Sequence, residues 1–174
     1  VKVYDNPGLE PVRAVTASLE IVDPLQAIPG PHGDLLRAAA SGDAAGVVQA
    51  IDNGADINAV SPERGALSTA ASHGRREIVD LLLERGAAVD AVDERTGLTP
   101  LLAALIGREP EIASLLIEKG ADVNRKVNAG GGVDVTPVMF ATAIKDMNLV
   151  RAIAGAGADL DARTGLGEPA LILA

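Results

Sequence analysis

Between Gly97 and Asn124 the chain reads GLTPLLAALIGREPEIASLLIEKGADVN, two short apolar runs at helical spacing with start and stop signals. Thr99 opens the first run: its side chain can accept backbone N–H bonds, and Pro100 behind it loses nothing by lacking a donor at the first helical position. Pro110 falls in the first turn of the second run, so it need not break that helix. Gly120 closes the run, because glycine takes the left-handed conformation that stops a helix. Upstream, Ile78, Val79, Leu81, Leu82 and Leu83 form one helical apolar face. Small residues such as Ala70, Ala71, Ala103 and Ala104 let paired helices approach. The first 32 residues follow another rule. Val15, Ala17, Leu19 and Ile21 alternate with Thr16, Ser18, Glu20 and Val22, the period of a strand.

The helical pattern repeats. Asn53-Gly54-Ala55-Asp56-Ile57-Asn58 returns as Arg85-Gly86-Ala87-Ala88-Val89-Asp90, as Lys119-Gly120-Ala121-Asp122-Val123-Asn124, and as Ala156-Gly157-Ala158-Asp159-Leu160-Asp161. Thr99-Pro100-Leu101-Leu102-Ala103-Ala104 matches Thr136-Pro137-Val138-Met139-Phe140-Ala141, with degenerate copies starting at Gly33 and Gly65. In all four units 21 positions separate the start of this second motif from the later glycine, whereas those glycines lie 32, 34 and 37 apart. Insertions therefore fall in one connecting loop. Gly130-Gly131-Gly132 lies in the longest such loop, Arg125 to Asp134, which is expected to form a longer, more mobile finger.

These motifs resemble the ankyrin repeat, whose signature is T-P-L-H-x-A followed by G-x-x-E-I-V-x-L-L-L-x-x-G-A-D-V-N. Gly74 to Gly86, GRREIVDLLLERG, is a close match. The resemblance implies an all-α ankyrin-repeat solenoid, helix–turn–helix units with protruding loop fingers, behind an extended N-terminal arm. The expected boundaries are an arm over 1–32 and a repeat domain over 33–174, with repeats at about 33–64, 65–97, 98–134 and 135–167 and a partial fifth at 168–174. Repeat 1 lacks Thr-Pro and has Gly46 where an apolar residue is usual; repeat 4 has Lys145-Asp146 where Gly-His is common, and a weakly apolar second helix. Leu171-Ile172-Leu173 would leave an apolar face open, so more repeat or a partner is expected there. The Ala, Gly, Val and Arg bias suits a high-GC bacterium.

Composition narrows the chemistry. Apolar residues make up 48%, but the aromatics are only Tyr4 and Phe140, which suits a thin stack of closely packed helices. The formal net charge of −9 opposes phosphate-backbone binding. Cysteine is absent, which excludes thiol chemistry and disulfides and fits cytoplasm and bacterial periplasm alike. No apolar run is long enough for a membrane span. His32 reads as an exposed linker residue after Pro29-Gly30-Pro31, and His73 as a solvated or contact residue at a helix end. Asp56, Asp90, Asp122 and Asp159, with Asn58, Asn124 and Asp161, recur once per repeat, so they are expected to bond nearby backbone rather than form an acid pair. The glycine triplet lacks the Gly-Lys-Ser/Thr sequel of a phosphate loop. No catalytic, metal or cofactor residue is expected.

Five of the ten prolines fall before residue 33. The segment carries little apolar surface to order itself, so it is expected to be a second binding element, with Val15, Leu19 and Ile21 added as a strand to a partner's sheet. The resemblance implies partner contacts on the concave face at Ser72, His73, Leu102, Ile106, Met139 and Ile144, joined by the basic residues Arg95, Arg125 and Lys126. The competing expectation is that Leu102, Ile106, Met139 and Ile144 only pack between repeats. The expected function is a non-enzymatic protein-interaction module, an accessory or scaffold subunit of a larger complex. A narrower alternative is an inhibitor or immunity-type protein masking an enzyme or toxin, where acidic charge would help against a basic target. A different class is part of an enzyme whose active site lies outside this chain.

Overall fold

The computed structural model describes residues 28–59, 65–93, 97–128 and 134–162. Among these residues eight helices fall in pairs: α1 (Gly30–Ser41) with α2 (Ala44–Asp52), α3 (Ala66–Ser72) with α4 (Arg76–Glu84), α5 (Pro100–Gly107) with α6 (Pro110–Glu118), and α7 (Pro137–Ala143) with α8 (Met147–Gly155). Each first helix packs on the first helix of the next pair, and second helices pack on second helices. The result is a two-layer stack in which an isolated pair could not cover its own apolar surface.

The local start signals work as chemistry requires. Thr99 Oγ1 accepts the Leu102 N–H at 3.3 Å, and Pro100, Pro110 and Pro137 sit in first turns. At Thr136 the partner is a thioether: its N–H donates to Met139 Sδ at 3.5 Å. Aspartates do the same work at the start of two second helices, α2 and α8. Asp43 accepts from Gly46 at 3.0 Å, and Asp146 accepts from Asn148 and Leu149 at 3.0 and 3.1 Å. Gly54, Gly86, Gly120 and Gly157 end the second helices at φ between 88° and 92°.

One continuous core runs through the stack. Leu35, Leu36 and Val47 fill repeat 1; Ile78 and Leu82 fill repeat 2; Leu101, Leu105 and Leu116 fill repeat 3; Met139, Leu149 and Ile153 fill repeat 4. Ala39, Ala70, Ala71, Ala104 and Ala141 are fully buried between them, which is how helices with so few rings close their gaps.

Two details depart from expectation. α1 begins at Gly30, so Gly30, Pro31 and His32 form its first turn rather than the end of a linker, and His32 is half-buried. Proline is at home in a first turn, so Pro31 extends the helix backward instead of stopping it. The loop of repeat 3 is not wholly irregular. Val127–Asn128 (β1) pairs antiparallel with Asp134–Val135 (β2), Val127 opposite Val135, so the all-α stack carries one short ribbon at the base of its longest finger. The glycine triplet, the arm from Val1 to Ala27 and the segment beyond Ala162 lie outside the described residues.

Candidate functional site

The ends of the first helices carry Ser72, His73, Ile106 and Ile144 among the expected contact residues. In repeat 2, Ser72 is half-buried and donates from Oγ to the Thr69 carbonyl at 3.1 Å. His73 caps the same helix and is exposed; its Nδ1 lies 2.8 Å from the Thr69 oxygen. A carbonyl only accepts, so this contact is a hydrogen bond donated by Nδ1.

In repeat 3, Ile106 is 49% exposed at the end of α5. In repeat 4, Ile144 caps α7; it is half-buried and packs against the core while keeping an outer edge. Arg125 and Lys126 are exposed on the strand-ward side of the third finger, immediately before β1.

Leu102 and Met139 are not surface residues. They are 0% and 1% exposed, deep in the joint core. Both lie in the first turn of their helix: α3 and α7 flank Leu102 on α5, and α5 packs on the helix that carries Met139, so the packing alternative wins for these two and the partner-contact expectation is corrected. Arg95, Val15, Leu19 and Ile21 fall outside the described residues.

The recurring aspartates and asparagines, Asp161 excepted, bond backbone. Asp56, Asp122 and Asp159 each accept the N–H two residues ahead at 2.9–3.0 Å. They also do what sequence reading did not foresee, reaching from one repeat to the next. Asn58 takes the Ala88 N–H at 2.8 Å and donates to Gly86 O at 3.4 Å. Asp90 takes the Asp122 N–H at 3.0 Å. Asn124 takes the Asp159 N–H at 2.7 Å and donates to Gly157 O at 3.1 Å. The fingers are thus joined in a row.

A cleft opens at repeat 1, lined among others by Asp34, Arg37, Gly46, Gln49 and His73. Its arginine is already engaged: Arg37 pairs with Asp34 and donates to Ile28 O at 3.1 Å. Among the described residues no group of His, Asp or Glu is arranged to hold a metal ion, and no helix is long and apolar enough to cross a membrane.

Stacked helix pairs, finger loops and the Gly-Ala-Asp turns define the class, and sequence comparison agrees. The family of ankyrin repeats, in three copies, matches residues 35–127, and the chain belongs to it. Ankyrin repeats are protein–protein interaction modules, in general non-enzymatic. The chain is 37% identical over 94 residues to the B-cell lymphoma 3 protein homolog of Mus musculus, covering 54% of this chain and 20% of that protein. It is 37% identical over 109 residues to the E3 ubiquitin-protein ligase KEG of Arabidopsis thaliana, 62% of this chain and 6% of that one. It is 36% identical over 121 residues to ankyrin repeat and SOCS box protein 16 of Homo sapiens, 70% of this chain and 26% of that one. The chain thus spans about a quarter or less of the length of each of these relatives.

Proposed function

We propose that this chain is a non-enzymatic accessory or scaffold subunit that binds a partner protein through the exposed ends of its first helices, with the N-terminal arm as a second element. The observation that carries the reading is Ile106. A large aliphatic side chain left 49% open to water forgoes roughly half the stabilisation of full burial, on the order of 1 kcal/mol. Ile144 stands at the matching turn of the next repeat, with an edge still uncovered. Ser72 and His73 continue the row in repeat 2 with hydrogen-bonding groups, a mixture suited to protein rather than to nucleic acid or lipid.

The test is retention of partner protein by the immobilised full chain, identified by mass spectrometry, against the Ile106→Asp/Ile144→Asp variant. The variant should lose the partner and keep its helical circular dichroism. Equal retention by the variant refutes the assignment of this face, and loss of the helical signal shows that the pair is core. Removing residues 1–27, which spares α1, should weaken retention and leave the melting temperature of the repeats nearly unchanged.

A further inference from the structure

Among the described residues two that are not glycine hold left-handed backbone, Arg108 at φ 60°, ψ 45° and Lys145 at φ 60°. Each ends the turn after a first helix, twelve positions ahead of the glycine that ends the second helix of the same repeat. At that position repeats 1 and 2 have glycine, Gly42 at φ 87° and Gly74 at φ 71°. A side chain in this conformation crowds its own backbone, and glycine would relieve it. Such strain persists where something other than stability retains it.

Attraction to the helix C-terminus does not account for the choice. A cation is favoured near those last carbonyls, but it would gain as much from a neighbouring position with ordinary backbone. Nor does an ion pair hold either side chain. Among the described residues the ion pairs are Arg37 with Asp34 and Arg76 with Asp80. Of the nearest carboxylates in sequence, Asp146 caps α8 through Asn148 and Leu149, and Glu109 is turned toward Gly74, where a Cβ would stand 2.8 Å from its Oε1. Both cations are exposed. Ile106 precedes Arg108 by two residues, Ile144 immediately precedes Lys145, and α5 packs beside α7. In a chain of net charge −9, this places two unpaired positive charges beside two partly open isoleucines.

We propose that the ends of α5 and α7 form a docking site for an acidic, apolar segment of the partner protein. Its aliphatic side chains rest on Ile106 and Ile144, and its carboxylates pair with Arg108 and Lys145. The proposal rests on the reading that the first-helix ends bind protein, and it names the chemistry of what they bind. Charge complementarity selects this occupant: a basic segment would meet Arg108 and Lys145 as like charges.

The experiment selects peptides from a random pool on the immobilised full chain, then titrates a synthetic representative into the isotope-labelled chain. Retained peptides should be enriched several-fold in Asp and Glu alongside Leu, Ile and Val, and should shift the amides of residues 106–108 and 144–146. The Arg108→Gly/Lys145→Gly variant should bind about tenfold more weakly, as expected for losing two surface charge contacts, with no fall in melting temperature. Arg108→Lys/Lys145→Arg should keep the affinity within a few-fold. Neutral or basic peptides shifting those same amides, or unchanged affinity in the glycine variant, overturns this proposal alone. Shifts confined to other parts of the chain, or no retained peptide, overturn the first-helix reading and this proposal with it.

Discussion

Gly107 and Gly155 should respond to the same substitution with opposite signs. Both end helices, α5 and α8, with no positive φ. A Cβ on Gly155 meets nothing within 4 Å, so Gly155→Ala should gain the ordinary helix advantage of alanine, about 0.5–1 kcal/mol. A Cβ on Gly107 would lie 2.5 Å from Ser72 O and 3.0 Å from Ser72 C and Cα. Carbon–oxygen contacts settle near about 3.3 Å or beyond, so α3 and α5 must part by roughly 0.8 Å. Those atoms are backbone and cannot swing aside. Overpacking of this kind costs about 1–3 kcal/mol, which outweighs the helix gain and leaves Gly107→Ala destabilised by roughly 0.5–2 kcal/mol. Urea unfolding followed by circular dichroism reads this as a midpoint lowered by about 0.2–2 M, given slopes of about 1–3 kcal/mol/M. If Gly107→Ala raises the midpoint as Gly155→Ala does, the close approach of these first helices is wrong.

Leu102→Ala should cost about 2–5 kcal/mol in the same titration; a near-neutral result would return Leu102 to the surface. Asn124→Ala deletes both finger bonds to repeat 4 and should cost about 1–2 kcal/mol, with faster hydrogen exchange at the Asp159 amide; unchanged exchange would mean the bond does not form in solution.

The stack was legible because its cause is periodic. Thr99-Pro100, the fixed interval to Gly120 and the Gly-Ala-Asp turns all state the same unit, and four copies in phase leave little freedom. The contact face was legible only in part. Leu102 and Ile106 lie one helical turn apart and are equally apolar in sequence, and what separates them is which side the neighbouring first helices cover. Hydrophobicity records that a residue can be buried, not whether a neighbour arrives. Arg108 was passed over for a different reason: left-handed backbone leaves no mark in composition. Its signal was positional, since the offset that holds Gly42 and Gly74 holds Arg108 and Lys145 in repeats 3 and 4. The reach of Asn58 and Asn124 across repeats was hidden because their local turn already explained them.

The row of fingers is not uniform along its length. An amide both donates and accepts, so Asn58 and Asn124 each tie two backbone groups of the following repeat, whereas the carboxylate of Asp90 can only accept and ties one. Among the described residues the side-chain ties along the row are therefore fewest between repeats 2 and 3, and if stiffness follows those ties that link is the softest of a series of springs. A load on the fingers would open a gap there first, while the helices beneath, where α3 and α5 meet through Gly107 and Ser72, stay in register. A partner gripping fingers on both sides of that link would meet two stiff jaws joined by a compliant one.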